Sequence, residues 1–302
     1  MFPRTFSYIA PSTLEEAISI LDKYPEDAKI LAGGHSLVPM MKLRLASPKY
    51  VVDISRLDGL EYITESDGML TIGALTTHHA VETSKLILAK CPIMSEAAGL
   101  IGDPQVRNAG TIGGALAHGE PAGDWGSIIL SLNGELKTKS PSGERVIKID
   151  EFFLGPFETA LKPNEILTEI KIPLPPQPSS SAYLKLERKV GDFATVGVGV
   201  QLKIDDQTIT DVGIGLTAVG FTPLRARKAE EILRGKVITD AVIEEAAQAA
   251  TDESDPTADL HGSVKYKKLM AHYSYGGKWK HEDAICKQKI KIITMMPGYA
   301  IT

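Results

Sequence analysis

Cysteine is nearly absent from this chain: Cys91 and Cys286 are the only two in 302 residues. Two thiols cannot hold an iron–sulfur cluster, which normally takes four, and they supply neither a CxxC zinc knuckle nor a disulfide framework. Any redox chemistry must then belong to an organic cofactor. No apolar run approaches the roughly twenty residues that a membrane-spanning helix needs. The opening Met1–Tyr8 lacks a signal-peptide core, so the expected location is cytoplasmic. Excess positive charge is missing too. The net charge of −5 argues against a nucleic-acid partner, and the lysine-rich stretch 265–291 reads as a solvated helix face. There is no GxxxxGK[ST] loop and no HExxH. His78-His79 has no partner at metal-ligand spacing, and no Ser/His/Asp or Cys/His arrangement can be read. No metal ligand and no catalytic side chain is therefore expected. The chain reads as a cofactor holder whose chemistry is the cofactor's.

What the chain does have is two glycine-rich segments, Ala32-Gly33-Gly34-His35-Ser36 and Thr111-Ile112-Gly113-Gly114. Glycine tolerates positive φ and lets a ligand approach the backbone. Successive peptide N–H groups in a concavity form an anion nest. Two such nests suit the two phosphates of one dinucleotide, gripped from both sides. The Ser36 and Thr111 hydroxyls can donate to phosphate, and a helix after the first segment favours negative charge at its start. His35 has three open roles: capping the loop, touching phosphate, or carrying a covalent flavin bond. The stretch from Asp103 to Asp124 reads as a long glycine-rich loop, costly in chain entropy unless a ligand orders it. Asp124 is either an acceptor for the ligand or the N-cap of a helix starting near Trp125.

The rest of the chain divides at Pro173–Ser181, a proline- and serine-rich linker. Before it, residues 1–57 form a small unit. Its helix over 12–24 opens with a Thr13/Glu16 capping box, and strands at 30–32 and 50–54 follow, with a helix over 37–45 between them. Residues 58–175 form a middle unit. Strands are expected at 69–74 and 166–172, helices at 77–88, 92–101 and 125–132, and a hairpin over 135–149 turning at Pro141-Ser142-Gly143. After the linker, residues 182–302 read as an α+β domain. Valines and leucines alternate with polar or glycine residues over 196–204 and 212–218, the period of a strand, and helices follow at 225–233, 240–251 and 266–272. Gly213-Ile214-Gly215-Leu216-Thr217-Ala218 matches GxGxxA but lies inside such a strand, so it is not a Rossmann site.

Taken together, the sequence resembles the FAD-binding medium subunits of molybdenum hydroxylases: those of carbon monoxide and archaeal aldehyde dehydrogenases, and the flavin domain of xanthine dehydrogenase. The likeness runs through Phe6-Ser7-Tyr8, the stretch from Ala32 to Arg44, Val106 to Gly114, Pro121-Ala122-Gly123-Asp124, Arg188 to Ala194, and Asp259 to Ser263. His118-Gly119-Glu120 departs from some relatives. The resemblance implies an α+β, vanillyl-alcohol-oxidase/PCMH-type FAD-binding fold with a C-terminal α+β domain. It implies FAD binding by Ile30, Leu31, Ala32, Gly33, Gly34, His35, Ser36 and Leu37, and by Thr111, Ile112, Gly113, Gly114 and Ala115. Ile101 and Asp124 match positions contacting FAD, and Leu167 and Lys185 match positions near the flavin ring. It further implies an electron-transfer role beside a large molybdenum-cofactor subunit and a small subunit with two [2Fe–2S] clusters, assembled as a dimer of heterotrimers. The alternative is a free-standing flavin oxidoreductase acting on its own small substrate, with Glu187 or Asp192 as acid or base. A third reading is an assembly subunit without cofactor.

Overall fold

The computed structural model describes residues 2–175 and 177–276. Among the described residues, three larger sheets follow one another along the chain, each with its own apolar cluster, beside one two-stranded sheet.

The first sheet holds β1 (Ser7–Ile9), β2 (Ala28–Leu31) and β3 (Tyr50–Asp53), with α1 (Leu14–Lys23) and α2 (Leu37–Lys42) between strands. Its order is β1-β3-β2, and both pairings are parallel. Helix α1 starts as expected, with the Thr13 hydroxyl accepting from the Glu16 N–H at 3.1 Å. The reciprocal bond is displaced by one residue: the Glu16 carboxylate accepts from the Ser12 N–H. Ala17, Ile18 and Leu21 bury the apolar face.

The second sheet has the order β4-β5-β10-β6-β7. It is formed by β4 (Ile63–Ser66), β5 (Met69–Gly73), β6 (Glu135–Ser140), β7 (Gly143–Lys148) and β10 (Ile166–Pro173); β8 (Phe153–Gly155) and β9 (Glu158–Thr159) pair separately. Six helices occupy the long excursion between β5 and β6: α3 (His78–Thr83), α4 (Lys85–Lys90), α5 (Pro92–Gly99), α6 (Pro104–Ala109), α7 (Ile112–His118) and α8 (Asp124–Ser131). Three expectations change here. The helix expected over 77–88 is broken at Ser84, whose hydroxyl caps the second half by accepting from the Ile87 N–H; serine competes with helix through such bonds. The stretch 103–124 is not a long loop, because α6 and α7 fill most of it. Strand β4 was not read from the sequence at all.

The third sheet is β11-β12-β13-β14, from β11 (Ser179–Leu186), β12 (Val196–Asp205), β13 (Thr208–Thr217) and β14 (Leu224–Arg225). It is covered by α9 (Arg227–Leu233), α10 (Asp240–Glu253) and α11 (Val264–Gly276). The last three residues of the expected linker, Ser179–Ser181, are already strand. Of the lysine-rich stretch, Lys267 is buried and donates to Asp259 at 2.6 Å, which corrects the solvated-face reading there; residues 277–291 lie outside the described residues.

Helix α8 joins the second and third sheets. All eight of its residues are buried. A β-carbon on Gly213 or Gly215 of β13 would fall 1.9 Å from the carbonyl oxygens of Ser131 and Ser127 respectively. The glycines in the false GxGxxA match thus let a helix backbone lie directly on a strand backbone.

Candidate cofactor site

The first glycine segment leaves the C-terminal end of β2. Gly34 has φ +76°, a conformation open to glycine and strained for other residues. Val38 and Met40 close the start of α2 by donating to the carbonyls of Gly34 and Ser36. Among the described residues, no protein acceptor bonds the N–H groups of Gly33, Gly34, His35, Ser36 or Leu37. His35 is exposed, and the segment around it is half-buried. Five successive donors without partners on a partly covered turn are what an anion nest requires.

The second segment is built differently. The N–H of Ile112 donates to the Thr76 carbonyl and that of Gly113 to the Ala74 carbonyl, both at 3.0 Å. The Gly114 N–H donates to the Thr111 hydroxyl at 3.1 Å, and the Ala115 N–H to the Thr111 carbonyl. Its amides are therefore engaged by protein, and the picture of two open nests is corrected to one. Gly113 is required by packing: a β-carbon would stand 2.5 Å from that of Ala74. Thr111 caps α7.

The two segments touch. A β-carbon on Gly33 would lie 2.0 Å from the Ala109 carbonyl oxygen and 2.7 Å from the Gly110 α-carbon, and one on Gly114 would face Ala32 at 3.8 Å. The first segment thus packs directly on the residues that lead into the second.

Further residues line a seam between α5, α8 and β11. Asp124 is the first residue of α8, and Gly123 rather than Asp124 is the N-cap. The Asp124 carboxylate, 6% exposed, accepts from the Tyr183 hydroxyl at 2.6 Å and from Lys185 Nζ at 3.2 Å. Burial pushes its pKa up, against the pull of the Lys185 charge; burial and the adjacent Asp124 also hold the Tyr183 phenol well above its ordinary value. The Lys185 side chain is 2% exposed, and its other neighbours are the Leu100 carbonyl at 3.0 Å and the Glu187 carboxylate at 3.5 Å. Two of its protons are given to Leu100 and Asp124, while the Glu187 oxygen is an ion-pair neighbour that accepts no hydrogen bond. Ile101 follows Leu100 in the same turn. Arg107 Nη1 reaches the Ile101 and Gly102 carbonyls, while its Nε donates to Glu82 at 2.9 Å. Leu167 sits apart from these groups, in the main apolar core on β10. Its neighbour Thr168 accepts from Ala74, the residue that holds Gly113.

Sequence reasoning missed Tyr183, His78, Trp125 and Arg107. Each has a partner distant in the chain: Tyr183 and Asp124, His78 and Trp125, Arg107 and Glu82.

Comparison with known proteins agrees with this geometry. Residues 4–175 match the family model described as FAD binding domain in molybdopterin dehydrogenase, and residues 181–274 match CO dehydrogenase flavoprotein C-terminal domain. The chain is 42% identical over 271 residues to the carbon monoxide dehydrogenase medium chain of Hydrogenophaga pseudoflava, covering 90% of this chain and 94% of that one. It is 36% identical over 268 residues to the glyceraldehyde dehydrogenase medium chain of Sulfolobus acidocaldarius, covering 89% and 95%. Its fold superposes on a solved structure of carbon monoxide dehydrogenase from Hydrogenophaga pseudoflava with a TM-score of 0.90, over 91% of this chain and 96% of that one, at 42% identity. The α+β fold expected from the sequence is the fold of these chains. With an open amide nest set against a helix-anchored glycine segment, and with these matches over most of its length, the chain belongs to the family of the FAD-binding domain in molybdopterin dehydrogenases.

Proposed function

We propose that this chain is the FAD-binding electron-transfer subunit of a molybdenum-containing hydroxylase or dehydrogenase. The observation that carries the reading is the row of unpartnered amides from Gly33 to Leu37, in backbone contact with the second glycine segment. A dinucleotide diphosphate would suit this turn: five N–H groups in succession have no protein acceptor, and Gly33 and Gly114 let the two segments pack closely beside them. Residues 30–37 would hold the diphosphate from one side. Thr111 to Ala115 would form the opposing wall, with the Thr111 hydroxyl as a further donor. Ile101, Asp124 and Lys185 would border the ring system, Lys185 holding the seam beside it, and Leu167 would support the wall from below.

When bound, FAD supplies the capacity to exchange electrons singly or in pairs. The chain's own contribution is to bind and orient the cofactor and to exclude water at the buried Asp124–Lys185–Tyr183 group. The matched relatives are medium chains of dehydrogenases with different substrates, carbon monoxide and glyceraldehyde. Substrate choice would then lie in a large molybdenum-cofactor subunit, with a small [2Fe–2S] subunit relaying electrons, in a cytoplasmic dimer of heterotrimers. Among the described residues no helix is long and apolar enough to cross a membrane.

Purification from the native host, with visible spectra, metal analysis and identification of copurifying chains, tests the reading. Flavin absorbance on this chain, and molybdenum and iron on two others, is the expected result. A preparation without flavin that takes up none on incubation with FAD would overturn it. Substrate turnover by this chain alone would favour the free-standing oxidoreductase.

A further inference from the structure

His78 opens α3 directly beneath the second glycine segment. Its backbone N–H donates to the Gly110 carbonyl at 3.0 Å, and the preceding Thr77 bridges Thr111. The ring is buried, at 4% exposure. The Trp125 indole N–H donates to its Nδ1 at 3.1 Å. An indole can only donate. Nδ1 must therefore present a lone pair, and the proton of the neutral ring sits on Nε2. Burial, reinforced by the nearby His35 and Arg107, holds the pKa down at about 4, so the neutral form persists at ordinary pH.

The Nε2–Cδ2 edge of this ring lies against Gly110: a β-carbon there would be 3.0 Å from both atoms. Gly110 also abuts Gly33, whose β-carbon would stand 2.7 Å from the Gly110 α-carbon. Trp125, His78, Gly110 and Gly33 thus form an unbroken series of contacts, from the buried helix α8 to the open amide nest.

We infer that His78 is a positioning residue of the cofactor site: its ring, locked in one tautomer and orientation by Trp125, sets the separation of the two glycine segments. The inference rests on the FAD reading above. Without the ring, the backbone bonds at Gly110, Ile112 and Gly113 would still hold the second segment, but Gly110, where it meets Gly33, would lose the side chain packed against it.

The test is FAD titration of the full chain with its copurifying chains, after flavin removal, together with thermal melting of the same samples. The variants are His78→Leu, Trp125→Phe and the double variant. Each single substitution is expected to weaken FAD binding by about tenfold, the scale of a coupled contact. The double variant should bind no more weakly than either single one, because both act through one contact. A side chain with a merely structural role would lower the melting temperature and leave the Kd of the folded protein unchanged; that result, or additive effects, overturns the inference. Should His78→Leu fail to fold, Trp125→Phe, which keeps an aromatic ring, decides by the same criterion. Wild-type protein that takes up no FAD would instead overturn the functional reading, and the inference with it.

Discussion

Gly33 has no room for a side chain: a β-carbon there would sit 2.0 Å from the carbonyl oxygen of Ala109. The obstacle is backbone, which cannot swing aside as a flexible side chain can. The first glycine segment is thereby held against the end of α6.

Gly33→Ala should accordingly push the two segments apart. Its expected cost is about 1–3 kcal/mol of overpacking strain, and FAD retention should fall with it. Gly34→Ala meets only side-chain carbons at 3.3 Å but takes on the strain of φ +76°. That cost is about 1–2 kcal/mol. Thermal melting of apoprotein beside FAD titration checks both; full FAD occupancy in Gly33→Ala would contradict the contact model.

Lys185→Met would strand the Asp124 carboxylate in a buried site without its cation. Breaking a buried pair from one side costs about 3–5 kcal/mol. Asp124 would respond by taking up a proton. The double variant Lys185→Met/Asp124→Asn should be less destabilised than Lys185→Met alone, which denaturant unfolding of the three proteins would show.

Glu165 gives stability a dependence on acid pH. Burial alone would raise its pKa, but hydrogen bonds from Arg145, Thr138 and the Lys162 N–H outweigh burial and hold it at about 2, below the ordinary 4.5. A carboxyl lowered on folding contributes stability that is complete above its unfolded pKa and is lost as pH falls through its folded one. The contribution should thus be full above about pH 4.5 and fade towards about pH 2. Glu165→Gln is expected to cost about 1.5–3 kcal/mol at pH 7, the range for charged hydrogen bonds. The gap to wild type should narrow on acidification, as unfolding measured at several pH values would reveal.

Gly213→Ala and Gly215→Ala should each force α8 away from β13, since the opposing atoms are carbonyl oxygens 1.9 Å from the added carbon. The expected loss is about 1–3 kcal/mol or more. Because α8 begins at Asp124, the seam where Asp124 meets Tyr183 and Lys185 should loosen as well. Melting temperature and hydrogen exchange at Trp125–Leu132 are the measurements.

Much of this architecture could be read from local pattern. Val196 to Ile204 and Val212 to Ala218 announce strands by alternation alone, and Thr13 announces a helix start because its partner Glu16 is three residues away. The two glycine segments were visible because glycine is itself the signal. Long-range relations were not visible. Nothing around Ile112 and Gly113 says that Thr76 and Ala74 accept their amide protons, so the second segment passed for an open nest. Asp124 was left between a ligand acceptor and an N-cap because its partners, Tyr183 and Lys185, come from a strand beyond the linker. The break at Ser84 lay hidden because Glu82-Thr83-Ser84-Lys85 carries neither glycine nor proline to mark it.

The bonds from Ile112 and Gly113 to Thr76 and Ala74 bear on affinity as well as shape. A wall already immobilised by its own fold has no freedom left to surrender when a ligand arrives. The entropic penalty of capture then falls on the short turn from Gly33 to Leu37, and stiffening that turn alone would tighten the complex without adding a single contact.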